Sequence, residues 1–234
     1  MSLNEKPGGG GEMQPYVPAG NGDKSGEYTN ASYESFDHYT RRGLAKSLRK
    51  EFITNNHCSA KELEAKLSKE EINAVVLYSD FEVGRALNKN IRNNTMSEED
   101  NVMCKNIENA IQKHRLYEDV RVYRGITVPR KVYEEKFWSA YVNDKVISGS
   151  RICSTSRNMF RAFVGTISKN KDDVGIIFSC ELKRGDSALP IEDIAKTSGE
   201  EEILLSNPMY YISDIKKAKV NGKEIIKIDI ILVR

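Results

Sequence analysis

No stretch of the sequence is apolar for the roughly 20 residues that a membrane helix needs, so no membrane association is expected. The N-terminus lacks the short apolar core of a secretory signal peptide, and export by that route is not expected either. Neither sign of charge prevails: 36 Lys and Arg against 34 Asp and Glu leave a formal net charge of +2. That near-balance gives no basic footprint for nucleic acid, and no nucleic-acid partner is expected. The four cysteines, Cys58, Cys104, Cys153 and Cys180, show no metal-ligand spacing, and no metal is expected. Their even number permits disulfides, but a chain of 234 residues buries enough surface to do without them. Cys153 and Cys180 fall in predicted strands, where a small thiol packs as a buried hydrophobe. No segment repeats at a fixed period. These absences leave a polar-surfaced domain, expected to be a monomer.

Residues 1–30 are rich in Gly, Pro, Ser, Asn and Glu and include the run Gly8 to Gly11. Such a composition buries too little apolar surface to offset the entropy of ordering, and a disordered tail is expected. Residues 31–234 read as one domain. From Tyr33 to about Thr54 the period is helical, with Leu44, Leu48 and Phe52 on one face. Ser59 with Glu62, Ser68 with Glu71 and Ser97 with Asp100 are capping-box signatures that open three further helices. Asp80 restarts a helix with Phe81, Leu87 and Ile91 as its face.

The second half changes period. Val120 to Ile126 alternates as a strand, Pro129 opens a helical run through Trp138, and Val146 to Ser154 reads as a strand. Asn158 to Val164 predicts one or two helical turns. Strands follow at Val174 to Leu182, Ala188 to Ile191 and Glu201 to Leu205. Asn221-Gly222, between two apolar-patterned arms from Ile215 to Val233, is a strong hairpin signal. Helices first and strands later predict an α+β domain with a mostly antiparallel core.

Four features carry chemistry: Tyr123-Arg124-Gly125 at a strand, Ser154-Thr155-Ser156 at the end of another, a short helix with Ala162 and Phe163, and Glu200-x-Glu202 entering a third strand. Strand alternation sets Glu200 and Glu202 on one face and Glu201 on the other. Two carboxylates side by side favour water or a cationic substrate beside them. Arg124 can grip a phosphate through paired hydrogen bonds, and Gly125 leaves backbone open to an amide. Ser154 and Ser156 share the face of the cleft. Taken singly, each feature also has a plain structural reading: a solvated acidic hairpin end, a strand arginine reaching solvent, a turn glycine, hydroxyls at a strand end.

Taken in order, they resemble the arginine–serine–glutamate class of mono-ADP-ribosyltransferases, which includes bacterial toxins and injected effectors. Two further stretches carry the likeness: Tyr78 to Arg92 (YSDFEVGRALNKNIR), and Asn106-Ile107 ahead of Arg124. It covers roughly residues 70–234. The resemblance implies an ADP-ribosyltransferase-like fold and NAD as co-substrate. It implies Glu202, Glu200, Ser154 and Arg124 as catalytic residues, and Arg124, Gly125, Ser154, Thr155, Ser156, Tyr78 and Phe160 or Phe163 around NAD. In that class a Glu at the first position goes with arginine acceptors and a Gln with asparagine, so Glu200 implies an arginine of a target protein, in a host cell reached by secretion or injection.

The sequence departs from the class at Thr197, where many of these toxins carry an aromatic residue. Tyr78 and Phe81 either roof the cleft or pack between helices. Arg157 and Arg161 either add phosphate contacts or lie exposed. Two other functions fit the same residues: a catalytically silent, partner-binding domain of this fold, and an NAD glycohydrolase in which water is the acceptor.

Overall fold

Capping chemistry sets the first four helices of the described residues. The computed structural model describes residues 58–167, 170, 172–197, 199–220 and 223–234. Within them lie α1 (Ala60–Lys66), α2 (Lys69–Tyr78), α3 (Phe81–Asn93) and α4 (Glu98–Lys113). Ser59, Ser68 and Ser97 cap α1, α2 and α4, and Glu62, Glu71 and Asp100 reach back to the cap N–H. Each box satisfies two N–H groups the helix cannot, and a cap of this kind is worth about 1 kcal/mol. The Asp80 carboxylate accepts from the Glu82 and Val83 N–H groups to start α3, which ends on Asn94 in the left-handed region at φ 55°. The tail over residues 1–30 and the expected helix from Tyr33 to Thr54 lie outside the described residues.

The strands are β1 (Val120–Pro129), β2 (Ile147–Ser148), β3 (Ile152–Ser156), β4 (Asp173–Leu182), β5 (Leu189–Pro190), β6 (Glu202–Ser206), β7 (Met209–Val220) and β8 (Lys223–Leu232). Between β1 and β2 run α5 (Arg130–Val132), a π-helical stretch Tyr133–Trp138 and α6 (Ser139–Val142); α7 (Met159–Val164) follows β3. The strands form one sheet in the order β2-β7-β8-β4-β1-β3-β6-β5. All its pairs are antiparallel except β4 with β8. The α+β reading from the sequence holds, with that one parallel pair added.

Two element boundaries and one buried face differ from expectation. The single strand Val146–Ser154 is two: β2 pairs with β7, while β3 pairs with β1 and β6. Gly149 makes the break. Its N–H donates to the Pro208 carbonyl at 2.7 Å, and a Cβ there would lie 2.7 Å from the Pro208 ring. The first arm of the C-terminal hairpin begins at Met209 rather than Ile215, because an irregularity between Ile212 and Asp214 interrupts the alternation. Val220 faces Lys223 across the turn, and Asn221-Gly222 itself lies outside the described residues. Phe81, expected on the inner face of α3 with Leu87, is 70% exposed, whereas Leu87 is buried.

The core has three main parts. Helices α1 to α4 pack through Leu63, Val75, Leu87, Ile107 and Ile111 onto Ile152, Leu189, Ile191 and Leu204 of the β3-β6-β5 end. The helical run 130–142 packs through Tyr133, Phe137 and Ala140 onto Phe178, Ile212 and Ile228. A third cluster is made mainly by strands: Val122, Cys180 and Leu182 meet Cys153, Ile203 and Leu205. β1 and β3 share one register pair, Tyr123 with Ser156, and β3 pairs onward with β6. This junction brings residues of three strands together.

Candidate active site

Arg124 on β1, Ser154 on β3 and Glu202 on β6 meet at this junction; Ser154 and Glu202 line the cleft described below, and Arg124 lies behind its wall. β3 and β6 pair in register, Ser154 opposite Leu204 and Ser156 opposite Glu202, so all four side chains share one face. Diagonal neighbours on that face, Ser154 and Glu202, are joined by a side-chain hydrogen bond. Arg124 donates through Nη1 to the Ser154 carbonyl at 2.9 Å and sits 3.3 Å from the Cys153 sulfur. Its pKa is raised, first by the charge interaction with Cys153, and it stays cationic.

Glu202 is 9% exposed. Burial pushes its pKa up from 4.5 to about 7; the Ser154 hydrogen bond opposes that rise, the nearby Glu200 adds to it, and Arg124 opposes it. A carboxyl whose pKa burial raises towards neutral, in a cleft, marks Glu202 as a candidate functional group.

The cleft holds about 640 Å³, within the roughly 300–1,000 Å³ that suits a cofactor-sized ligand. One wall is the strand end and its loop: Ser154, Thr197, Glu200 and Glu202, with Arg161 of α7. The other is the α2–α3 turn and the face of α3: Tyr78, Phe81, Arg85 and Asn88. The loop is pinned to that turn. The Lys196 N–H donates to Ser79 Oγ at 2.8 Å, Lys196 Nζ lies 3.3 Å from Asp80 Oδ2, and the Thr197 hydroxyl donates to the Ser79 carbonyl at 3.4 Å. Asn88 donates to the Tyr78 hydroxyl at 3.0 Å and to the Gly84 carbonyl at 2.9 Å. Its Oδ1 is buried without a partner, an acceptor that a ligand N–H or O–H would satisfy. Burial also pushes the Tyr78 hydroxyl up to about 12, so it stays a neutral donor.

The other residues expected at the site have different surroundings. Thr155 points to the opposite face and donates to the Ile203 carbonyl at 2.7 Å. Ser156 shares the face of Ser154, but its hydroxyl donates to the Glu200 carbonyl and accepts from the Asn158 N–H at 3.0 Å. Gly125 is required for packing: a Cβ would fall 1.6 Å from the Ala162 carbonyl, so only glycine lets α7 lie this close to β1. Phe160 and Phe163 sit together on α7, ring centroids 6.2 Å apart, and neither is part of the cleft wall. Arg157 Nε pairs with Glu201 at 3.8 Å, whereas Arg161 lines the cleft.

Glu200 and Glu202 both face the cleft, but strand alternation is not the cause. β6 begins at Glu202, and Glu201 before it is left-handed at φ 49°. A turn, rather than a strand, presents Glu200. Arg85 and Asn88 were not singled out from the sequence, although Phe81, Arg85 and Asn88 stand at i, i+4 and i+7 and so share a helix face. Nothing local marks Arg85 and Asn88 as cleft residues until the loop is placed opposite them.

The family model of the ADP-ribosyltransferase exoenzyme matches residues 55–234, well over half of the chain. No curated protein sequence matches. Among solved structures, Plx2a, an ADP-ribosyltransferase toxin from Paenibacillus larvae, is similar at 18% identity and TM-score 0.58, covering 82% of this chain and 96% of its own. The Clostridium limosum C3 exoenzyme is similar at 21% identity and TM-score 0.57, covering 81% and 95%. C3stau2 from S. aureus, solved with NAD, is similar at 17% identity and TM-score 0.53, covering 77% and 99%. At these identities the likeness to the solved structures is one of fold, and the family match carries the rest: the chain belongs to the ADP-ribosyltransferase exoenzyme family.

Proposed function

We propose that this NAD-dependent ADP-ribosyltransferase transfers one ADP-ribose to an arginine of a target protein in a host cell, as a secreted toxin or injected effector. The observation that carries the arginine assignment is the presence of two carboxylates, Glu200 and Glu202, in one cleft wall with only one of them buried in the strand.

In this reading Glu202 serves bond cleavage. The bond from ribose to nicotinamide breaks, nicotinamide leaves with the bonding pair, and positive charge develops on the ribose. An ionised Glu202, held by Ser154, stabilises that charge where it forms. Ser154 and Arg124 act as one unit with it, since Arg124 fixes the Ser154 backbone. Arg85 and Arg161 line the cleft as cations for the two phosphates of NAD, and the bare Asn88 Oδ1 offers an acceptor.

Glu200 serves the acceptor. A guanidinium is always charged and a poor nucleophile, so its attack on the ribose carbon needs a carboxylate to orient it and take its proton. Incubation of the pure protein with labelled NAD and a eukaryotic lysate, followed by mass spectrometry of the labelled band, tests this reading. ADP-ribose on an arginine is the expected result. Label on another residue type contradicts the acceptor assignment, and nicotinamide release with no protein label favours a glycohydrolase.

A further inference from the structure

Glu192 lies in the turn after β5, outside the cleft wall. Its two carboxylate oxygens accept from two backbone N–H groups that flank Glu200: Oε1 from Gly199 and Oε2 from Glu201, the latter at 2.8 Å. Both flanking residues are left-handed, Gly199 at φ 83° and Glu201 at φ 49°. A non-glycine residue avoids that region unless its surroundings hold it there. One carboxylate thus ties down the backbone on both sides of Glu200.

Glu202 is held differently. Its carbonyl accepts from the Ile191 N–H at 3.1 Å, it pairs with Ser156 in the β3–β6 ladder, and its side chain is bonded to Ser154. Glu200 has no strand to hold it. Its carbonyl accepts from the Ser156 hydroxyl, and the next carbonyl, of Glu201, accepts from the Arg157 N–H at 3.1 Å. Removing the Glu192 clamp would loosen the first carboxylate of the pair and leave the second in place.

We propose that Glu192 is a positioning residue for Glu200, and that it sets how ADP-ribose partitions between a protein acceptor and water. The proposal rests on the acceptor-side role of Glu200. In it, both products begin with the same broken ribose–nicotinamide bond. The outcome then depends on whether a guanidinium nitrogen, giving its proton to Glu200, or a water reaches the ribose carbon first. A displaced Glu200 slows the first route only.

The test is Glu192→Gln beside Glu200→Gln and wild type, with released nicotinamide and protein-bound ADP-ribose measured in the same reaction. Glutamine accepts one N–H but turns its own N–H groups on the second. The ratio of protein-bound ADP-ribose to nicotinamide is expected to fall at least tenfold in Glu192→Gln, with the KM for NAD within about twofold of wild type. A second readout is the pH profile. The Glu192 charge adds to the raised pKa of Glu202, so Glu192→Gln is expected to move the acid limb of nicotinamide release to lower pH. Glu192→Asp keeps both oxygens but reaches one N–H at a time, and its ratio should fall between the two. An unchanged ratio in folded Glu192→Gln, while Glu200→Gln lowers it, overturns the proposal. If Glu200→Gln also leaves the ratio unchanged, the acceptor role of Glu200 falls first and the proposal with it. Should Glu192→Gln fail to fold, a wild-type ratio in Glu192→Asp overturns it in the same way.

Discussion

Arg124 donates to the carbonyl of Ser154 at 2.9 Å between β1 and β3, and the hydroxyl of that same serine holds Glu202. One serine thus ties three strands into one site. Arginine suits the first position because its planar fork can hold the Ser154 carbonyl with one nitrogen and present others to a phosphate. Arg124→Lys keeps the charge but offers a single point donor. Its Kd for NAD, read by calorimetry, is expected to rise at least tenfold. Unchanged affinity would make Arg124 a brace for β3 with no part in NAD binding.

Glu202 gives the free enzyme a stability cost that depends on pH. Its folded pKa, about 7, lies above its ordinary 4.5, so the neutral form is favoured in the fold. Stability from this group is complete below about 4.5 and is lost as pH rises through 7. Glu202→Gln is therefore expected to raise the Tm at pH 8, equivalent to roughly 1–3 kcal/mol, and to leave it near wild type at pH 5. His114 works in the other direction. It is buried, its Nδ1 lies 2.7 Å from the Ala188 carbonyl, its Nε2 has no partner, and burial holds its pKa below 6.5. Its contribution is present above about 6.5 and lost as pH falls, so paired melts at pH 5 and pH 8 separate the two groups. An equal Tm for Glu202→Gln and wild type at pH 8 would place Glu202 in a wetter setting than the cleft wall.

Gly125→Ala tests the packing of α7, which carries Arg161 of the cleft wall, onto β1. With a methyl group 1.6 Å from the Ala162 carbonyl, α7 has to move off β1. Overpacking of this kind costs about 1–3 kcal/mol. The expected readout is a lower Tm together with weaker NAD binding, because α7 carries Arg161. Wild-type stability would mean that α7 rides loosely on the strand.

Much of this architecture was legible in the sequence because its signals are local. The serine caps of α1, α2 and α4 and the Asp80 cap are each written within four residues, and all four stand where the sequence puts them. That Ser154 and Ser156 share a face was legible through strand alternation, and the order of Ser154 and Glu202 along the chain through the family resemblance. What the sequence hid depends on contacts distant along the chain. The division of Val146–Ser154 into β2 and β3 is made by Pro208 and Tyr210, some 60 residues further on. The roles of Ser156 and Gly125 are set by the Glu200 and Ala162 carbonyls, and neither contact leaves a local pattern. The left-handed Glu201 is the clearest case. The strand expected from Glu201 begins at Glu202, and Glu201 sits in a turn whose bonds come from Glu192, Ser156 and Arg157, all distant along the chain.

The account centres on a division of labour between two carboxylates two residues apart. Glu202→Gln should lose both nicotinamide release and protein modification by about a hundredfold or more, since one positioned charge-stabilising group is removed. Glu200→Gln should lose protein modification while nicotinamide release remains measurable, and Glu201→Gln, which keeps the Glu201 N–H bond to Glu192, should do neither. The direct measurement is released nicotinamide and protein-bound ADP-ribose in parallel for these three folded variants. Separation of the two signals by Glu200→Gln alone is the predicted result; wild-type modification by Glu200→Gln, or loss of both signals in Glu201→Gln, would contradict it.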